Sequence, residues 1–179
     1  MPKDSFFSER LKNRDRRAFT DFVRKYEHSI LRIAVRITRK MDDAEEVRQK
    51  LLLNLWQNPS NIPQDDRIPA WIRRCTVNAS IDQLRNRERQ PISSPTIERL
   101  AHKSSPEVSL DEKDLLDHAL SKLTPQQRGL VSLRFDEHLT VREIANTLNK
   151  PHTTIQSQLG VAIDRLRAQM VNQSTENNQ

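Results

Sequence analysis

The sequence predicts an all-α protein made of two small helical domains joined by a flexible linker. Only two glycines occur in 179 residues, which disfavours a turn-rich β architecture. Apolar residues recur at helical spacing in several segments. Serine or threonine precedes glutamate or glutamine by three residues at 109–112, 124–127 and 140–143, a pattern typical of helix N-termini.

The N-terminal part of the first domain (14–90) contains a long predicted helix. Residues 1–13 are expected to form a flexible N-terminus. From about Asp15 the apolar residues form one stripe on a helix; its members are Phe19, Phe22, Val23, Tyr26, Ile30, Ile33, Ala34 and Ile37.

Two further helices are predicted in this domain. The first follows Asp42 and Asp43, residue types that favour the N-cap, and ends near Gln57, because Asn58-Pro59 disfavours continued helix. Residues 58–69 contain three prolines and are predicted to be a loop. The last helix is predicted from about Ala70 to Arg89, with a proline near its start.

The second domain (109–170) is predicted from its helix caps. It follows a linker at 91–108 that is rich in proline and serine, and it precedes a tail at 171–179 that is expected to be disordered. The three cap patterns predict short helices joined by tight turns. This domain is therefore expected to be a four-helix unit.

The segment from Thr140 onward predicts a helix-turn-helix. Asn149 is placed to end the first helix in a left-handed conformation, and a second helix begins near His152. The outer face of the second helix is polar, and its amides and hydroxyls can reach base edges in a major groove. The alternative is an ordinary helical hairpin within a bundle. The residues predicted to face the core are Val141, Ile144, Ala145, Leu148, Ile155, Leu159, Ala162, Ile163 and Leu166. Those predicted to face solvent are Thr153, Gln156, Ser157, Gly160 and Asp164.

Composition narrows the class of function. Residues 1–91 carry 20 Lys and Arg against 13 Asp and Glu, whereas residues 92–179 carry 10 against 11. The basic half favours an anionic partner, most commonly nucleic acid; a membrane surface or a solvated face are the alternatives. One cysteine, Cys75, and five scattered histidines predict no disulfide, metal site or enzymatic centre, and no cofactor. No apolar run is long enough to insert into a membrane.

Motifs in both domains resemble the sigma-70 family of transcription factors. Residues 15–37, 42–56 and 70–90 look like sigma domain 2, and residues 121–148 look like domain 4. Two such domains with only a linker between them resemble the extracytoplasmic-function (ECF) group. The resemblance implies a cytoplasmic promoter-specificity subunit of RNA polymerase, with no catalysis of its own, that melts the −10 element.

The resemblance implies three interaction sites. Core RNA polymerase is expected to dock on Glu46, Gln49 and Leu53, which lie at i, i+3 and i+7 on a face away from the Val47 and Leu51 stripe; a solvated helix face is the alternative. The −10 element is expected to contact Arg73, Arg74, Asn78, Asp82 and Arg85, with the loop from Asn61 to Arg67 receiving an unstacked base. The −35 element is expected to contact Arg142, Thr153, Gln156, Ser157, Gly160 and Val161.

Two departures from the family pattern accompany this assignment. Gln156, Gln158 and Val161 stand where the family usually has several cations, so the recognition helix offers few phosphate contacts. Arg48 and Lys50 stand in the docking helix where an apolar and an acidic residue are usual.

The resemblance also implies a set of partners. Besides core polymerase and promoter DNA, it implies an anti-sigma factor that covers the same faces of both domains, and a protein that is monomeric when free. The alternative function is a free-standing helix-turn-helix regulator, which would have to dimerise to bind a two-half-site operator.

Overall fold

The computed structural model describes residues 7–89 and 110–176, and within these ranges it contains eight α-helices and no strand. The all-α fold class is therefore confirmed. The proposed linker at 91–108 and Ser109 of the first cap pattern lie outside the described residues. The helices are α1 (Phe7–Lys12), α2 (Arg16–Thr38), α3 (Met41–Gln57), α4 (Ile68–Arg89), α5 (Leu110–Ser121), α6 (Pro125–Val131), α7 (Val141–Leu148) and α8 (His152–Glu176).

Helices α2, α3 and α4 pack against one another and form the body of the N-terminal unit. Most members of the apolar stripe predicted on α2 are buried. Phe22, Tyr26 and Ile30 face this interior, whereas Ile33 and Ile37 pack against the C-terminal unit. Asp15 caps α2 as its side chain accepts hydrogen bonds from the backbone N–H groups of Arg17 and Ala18. Trp71 and Cys75 of α4 are partly buried and pack against the same core.

The N-terminal segment is ordered where flexibility was expected. Residues Phe7–Lys12 form α1, and Leu11 is buried in the core of the unit. The Asp65 carboxylate accepts hydrogen bonds from the backbone N–H groups of Phe7 and Ser8, 58 and 57 residues away. A cap supplied from a distant loop has no local sequence pattern, so this helix could not be read from residues 1–13 alone.

Helix α3 begins without the expected aspartate cap. Its N-cap is Lys40, which makes no side-chain capping hydrogen bond, while Asp42 and Asp43 lie in the first turn. Asp43 is buried and forms an ion pair with Arg87 of α4. The tertiary pairing with Arg87 occupies this carboxylate, and its negative charge still favours the helix N-terminus.

The loop before α4 is shorter and more regular than predicted. Residues Pro59–Asn61 and Asp65–Arg67 form single 3-10 turns, and α4 begins at Ile68, two residues before the predicted start. Ile62 and Ile68 are both buried. Their burial anchors this segment to the core of the unit.

The C-terminal unit follows its predicted local signals closely. Thr124 with Gln127, and Thr140 with Glu143, form reciprocal capping boxes at the starts of α6 and α7. Asn149 ends α7 with a φ of 52°, in the left-handed region. The residues predicted to face inward on α7 and α8 are buried or half-buried. The predicted helix-turn-helix is therefore present.

Helix α8 continues through most of the segment that was expected to be disordered. It extends to Glu176, whereas residues 171–179 were predicted to form a disordered tail. No proline occurs between His152 and Glu176, and polar residues such as Gln and Ser tolerate a helix once it has been started by the packed turns before them.

Gly160 offers a direct test of the helical propensity of α8. A Cβ added there meets no atom within 4 Å, whereas one added at Gly129 in α6 lies 3.3 Å from Val77 Cγ1. Gly160→Ala is therefore expected to raise the free energy of unfolding by about 0.5–1 kcal/mol. Gly129→Ala is the matched control and should bring no such gain. Urea denaturation of both variants measures the difference, and a destabilised Gly160→Ala would contradict the helical geometry described here.

The two units pack against each other through a shared apolar core. Ile33, Ile37 and Val77 of the N-terminal unit lie in one cluster with residues of α6, α7 and α8. Gly129 lets α6 come close to α2 and α4, because its missing side chain leaves room for Val77 and Ile37. The members of the cluster from the C-terminal unit are Leu130, Leu133, Ile144, Ala145, Ile155 and Leu159.

Candidate functional site

The outward face of α3 presents the three residues that were assigned to polymerase docking. Glu46, Gln49 and Leu53 are all exposed, and the side chain of Leu53 is 55% accessible. The Glu46 carboxylate lies 2.6 Å from Lys50 Nζ and accepts a hydrogen bond from Gln83 of α4. The hydrogen bond from Lys50 lowers the pKa of Glu46, so this carboxylate is charged near neutral pH.

An apolar groove of about 560 Å³ lies beside this face and extends the candidate docking surface. Sequence reasoning assigned Gln49 and Leu53 to docking but missed the other side chains of the groove. Leu52 and Trp56 follow them by three residues, which places all four side chains on adjacent rows of the helix. Their spacing was the signal that could have found them. The groove is lined by Arg16, Phe19, Thr20, Arg48, Gln49, Leu52, Leu53 and Trp56.

Apolar side chains and two arginines line the groove. Phe19 of α2 meets the Trp56 ring edge-on, with 5.0 Å between the ring centroids. Arg48 is one of these arginines and forms an ion pair with Glu45. An exposed leucine beside aromatic rings is typical of the centre of a protein interface.

Helix α4 places four of the five candidate −10 residues in one row. Asn78, Asp82 and Arg85 are exposed, and Arg74 is half-buried one turn earlier. Arg85 Nη1 lies 3.5 Å from the carboxylate of Asp82, and both side chains remain more than half accessible. The row therefore offers an amide and guanidinium groups to a ligand, with one carboxylate that offsets part of the positive charge.

Arg73 lies apart from this row and contacts the C-terminal unit. Its Nε donates a hydrogen bond to Glu137, with 2.8 Å between the atoms. The structure thus brings Arg74, Asn78, Asp82 and Arg85 together and directs Arg73 elsewhere. Sequence position alone could not separate Arg73 from Arg74, because they are neighbours in the chain.

The six candidate −35 residues are exposed on the helix-turn-helix. Arg142 lies in the first turns of α7, and Val161 of α8 is 45% accessible. Because Gln156 and Ser157 point to solvent, their polar groups are available to base edges. The members on α8 are Thr153, Gln156, Ser157, Gly160 and Val161.

Other kinds of site find little support in the described ranges. No cluster of three or more His, Cys, Asp or Glu side chains that could hold a metal ion occurs in residues 7–89 and 110–176. Burial raises the pKa of the Cys75 thiol, which favours its protonated form. None of the helices in this part of the chain has the length and apolar character needed to cross a membrane.

Each of the two units matches a family model of known proteins. Residues 22–90 match the family model for sigma-70 region 2, and residues 119–168 match the model for sigma-70 region 4. Together the two matches cover more than half of the chain.

Individual relatives extend over most of the chain. The RNA polymerase sigma-H factor of Pseudomonas aeruginosa is 27% identical over 88% of each chain. The ECF RNA polymerase sigma factor RpoE of Cereibacter sphaeroides is 29% identical over 88% of this chain and 89% of its own length.

Two solved structures share the fold. The sigma factor RpoE of Bartonella quintana, crystallised with the anti-sigma factor NepR, has a TM-score of 0.66 at 24% identity and covers 84% of this chain and 96% of its own. CnrH, solved with the cytosolic domain of CnrY, has a TM-score of 0.67 at 18% identity and covers 92% and 95%. With the region 2 and region 4 matches in their expected order, the chain belongs to the extracytoplasmic-function group of the sigma-70 family and is an RNA polymerase sigma factor.

Proposed function

We propose that the N-terminal unit, residues 14–90, docks on core RNA polymerase and opens the −10 element, while residues 109–170 bind the −35 element as duplex. The observation that carries the docking assignment is the exposed Leu53 at the rim of an apolar groove on α3. Residues 91–108 act as the linker. The chemistry of RNA synthesis belongs to the polymerase, and this subunit contributes binding.

The docking surface suits a helical protein partner. Leu53, Leu52 and Trp56 supply apolar contact area, and Gln49 supplies an amide at the edge. Glu46 adds a negative charge that Lys50 and Gln83 hold in position. A partner that fits this surface has an apolar side chain for the groove and a cation for Glu46.

The −10 surface uses the exposed row of α4. Arg74 and Arg85 attract the phosphates of a separated strand, and Asn78 offers both a donor and an acceptor to a base edge. The loop from Asn61 to Arg67 lies directly before α4 in the chain and is proposed to receive the unstacked base. Arg73 completes the set of cations when it is free of Glu137.

Asn78→Ala tests this assignment separately from docking. We expect open-complex formation to fall about tenfold, the cost of about one lost hydrogen bond to a base, while binding to core polymerase is retained. Asn86→Ala is the matched control, because Asn86 is also exposed on α4 but lies about 80° from Asn78 around the helix axis. Permanganate footprinting of promoter DNA measures the effect. Wild-type opening by Asn78→Ala would remove this residue from the −10 surface.

The −35 surface is proposed to read duplex DNA mainly through amides and hydroxyls. Gln156 and Ser157 face the base edges, and Arg142 supplies a phosphate contact from α7. Because Gln158 and Val161 replace cations usual in the family, binding should depend only weakly on salt.

The cellular location is proposed from the family. A sigma factor acts with RNA polymerase on the chromosome, so we propose that this protein is cytoplasmic. We also propose that it is monomeric when free. An anti-sigma factor is a further proposed partner, supported by the NepR complex of the Bartonella relative. Such a factor would cover the docking and DNA-binding faces together.

Binding to core polymerase is the experiment that decides the function. Co-elution of the purified chain with core enzyme, followed by run-off transcription on a pool of genomic promoters, should yield new transcripts and define the promoter motif. Absence of binding at moderate salt would overturn the docking assignment and favour a free-standing helix-turn-helix regulator. A stable homodimer that binds duplex DNA without polymerase would point the same way.

A further inference from the structure

Two adjacent carboxylates in the C-terminal unit form ion pairs with arginines of the N-terminal unit. Asp136 accepts two hydrogen bonds from Arg36, with 3.0 Å to Nε and 2.8 Å to Nη2. Glu137 accepts one from Arg32 Nη2 at 3.0 Å and one from Arg73 Nε at 2.8 Å. These contacts join residues that are 64 to 105 positions apart in the chain.

The two carboxylates are sheltered from water, although Arg32 remains about half accessible. The side chain of Glu137 is 4% accessible and that of Asp136 is 14% accessible. Next to them lies the apolar cluster that the two units share, with Leu133 fully buried one turn earlier. Ion pairs in such surroundings are screened less by salt than pairs on an open surface, so the pair can contribute to holding the units together.

A π-helical turn in the backbone just before Glu137 sets the direction of the two carboxylates. Helix α6 passes into a single π-helical turn at Ser132–Asp136, and the Glu137 N–H donates to the Ser132 carbonyl at 3.1 Å. His138 then adopts a φ of 56°, in the left-handed region. A π-helical turn widens the helix by one residue, and such turns are frequent at functional positions. Here the turn directs the two carboxylates toward α2 and α4.

The carboxylates occupy groups that would otherwise bind a phosphate backbone. A guanidinium offers the same planar set of N–H donors to a carboxylate and to a phosphodiester. Arg73 belongs to the proposed −10 surface, and its Nε cannot donate to Glu137 and to a phosphate at once. Helix α7 also packs on α4 in this conformation. Closure of the two units and donation of the Arg73 Nε–H to a phosphate therefore exclude each other.

We propose that Asp136 and Glu137 form an intramolecular latch, which holds the C-terminal unit against α2 and α4, engages Arg73 of the proposed −10 surface, and is displaced when a nucleic-acid backbone takes Arg73. The latch rests on the proposed role of Arg73 in −10 binding. It predicts that the free protein is compact and binds single-stranded DNA weakly, and that loss of a latch carboxylate both opens the protein and strengthens the binding.

Glu137→Gln tests the latch in the full-length protein, with Asp164→Asn as matched control. Each variant removes one negative charge from the C-terminal unit, but Asp164 is exposed on α8 and pairs only at 3.9 Å with Arg167. Small-angle X-ray scattering measures the radius of gyration, and fluorescence anisotropy measures binding to a labelled 20-nucleotide oligo(dT). Glu137→Gln is expected to increase the radius and to bind the oligonucleotide at least threefold more tightly than Asp164→Asn.

A charge exchange separates the latch from general destabilisation. Asp136→Arg alone should open the protein, because it faces Arg36 with a like charge. The double variant Arg36→Asp with Asp136→Arg should restore the compact radius, since the pair is re-formed with its signs reversed. Neither position belongs to the proposed docking, −10 or −35 surfaces.

Several outcomes would overturn the latch. They are a wild-type radius equal to that of Asp136→Arg, no difference between Glu137→Gln and Asp164→Asn, or a double variant as open as Asp136→Arg. These readouts use no polymerase, so they are independent of docking through α3. If the latch tests fail but the protein co-elutes with core polymerase, the proposed function stands. If the protein does not co-elute but the wild type is compact, docking is refuted and the latch stands.

Discussion

Leu53→Asp is expected to abolish binding to core RNA polymerase without unfolding the protein. Leu53 is 55% accessible on α3 and lies at the rim of the apolar groove. A carboxylate introduced at the centre of an apolar interface must lose its hydration without gaining a partner. We expect a loss of about 3 kcal/mol of binding free energy, which is more than a hundredfold in affinity. The fold should be unaffected, because the side chain already faces water in the free protein.

Met41→Asp is the matched control for this experiment. Met41 is similarly accessible, at 49%, and lies at the first position of the same helix, about 18 Å along the axis from Leu53. An aspartate there is favourable to the helix dipole and should leave polymerase binding unchanged. Co-elution and a fluorescence titration with core enzyme measure both variants. Wild-type affinity for Leu53→Asp would exclude the outer face of α3 as the docking surface.

Glu46→Lys provides a second and independent test of the same face. The exchange places a lysine beside Lys50 and removes the acceptor for Gln83. Polymerase binding should be lost here as well if the partner presents a cation to Glu46.

Arg128→Met is expected to lower the free energy of unfolding by about 3 kcal/mol. Arg128 is buried, and its guanidinium donates hydrogen bonds to the carbonyl oxygens of Ile37 and Leu123, both at 2.8 Å. These carbonyls lie at or just beyond the C-terminal ends of α2 and α5, where the helices leave their own acceptors unpaired. Burial lowers the pKa of Arg128, yet its carbonyl partners compensate the charge. Methionine keeps the apolar stem and loses every donor.

Arg134→Met is the control for the removal of an arginine. Arg134 is exposed and donates a hydrogen bond to the Leu139 carbonyl at 3.0 Å, so its loss should cost less than about 1 kcal/mol. Urea denaturation followed by circular dichroism compares the two variants. Equal stabilities would show that the Arg128 carbonyl contacts contribute nothing beyond packing.

The candidate sites were only partly predictable from the chain. The exposed faces of α3, α4 and α8 follow from helical periodicity, which locates Leu53, Asn78 and Gln156 on the surface. Periodicity does not report which exposed residues border a groove, so Phe19 and Trp56 were missed. The groove exists because α2 and α3 bring these two rings together from positions 37 residues apart.

Local signals in the sequence were enough to predict the helices other than α1, whereas the pairing of distant charges depends on the tertiary packing. Capping boxes such as Thr140 with Glu143, and the left-handed Asn149, act within four residues of the chain. Such signals are local and can be read in order. Asp65 capping α1, Arg128 bonding Ile37 and Glu137 holding Arg73 all join residues more than 50 positions apart. Their partners are selected by packing of the apolar faces, because only the folded chain brings those groups within hydrogen-bonding distance.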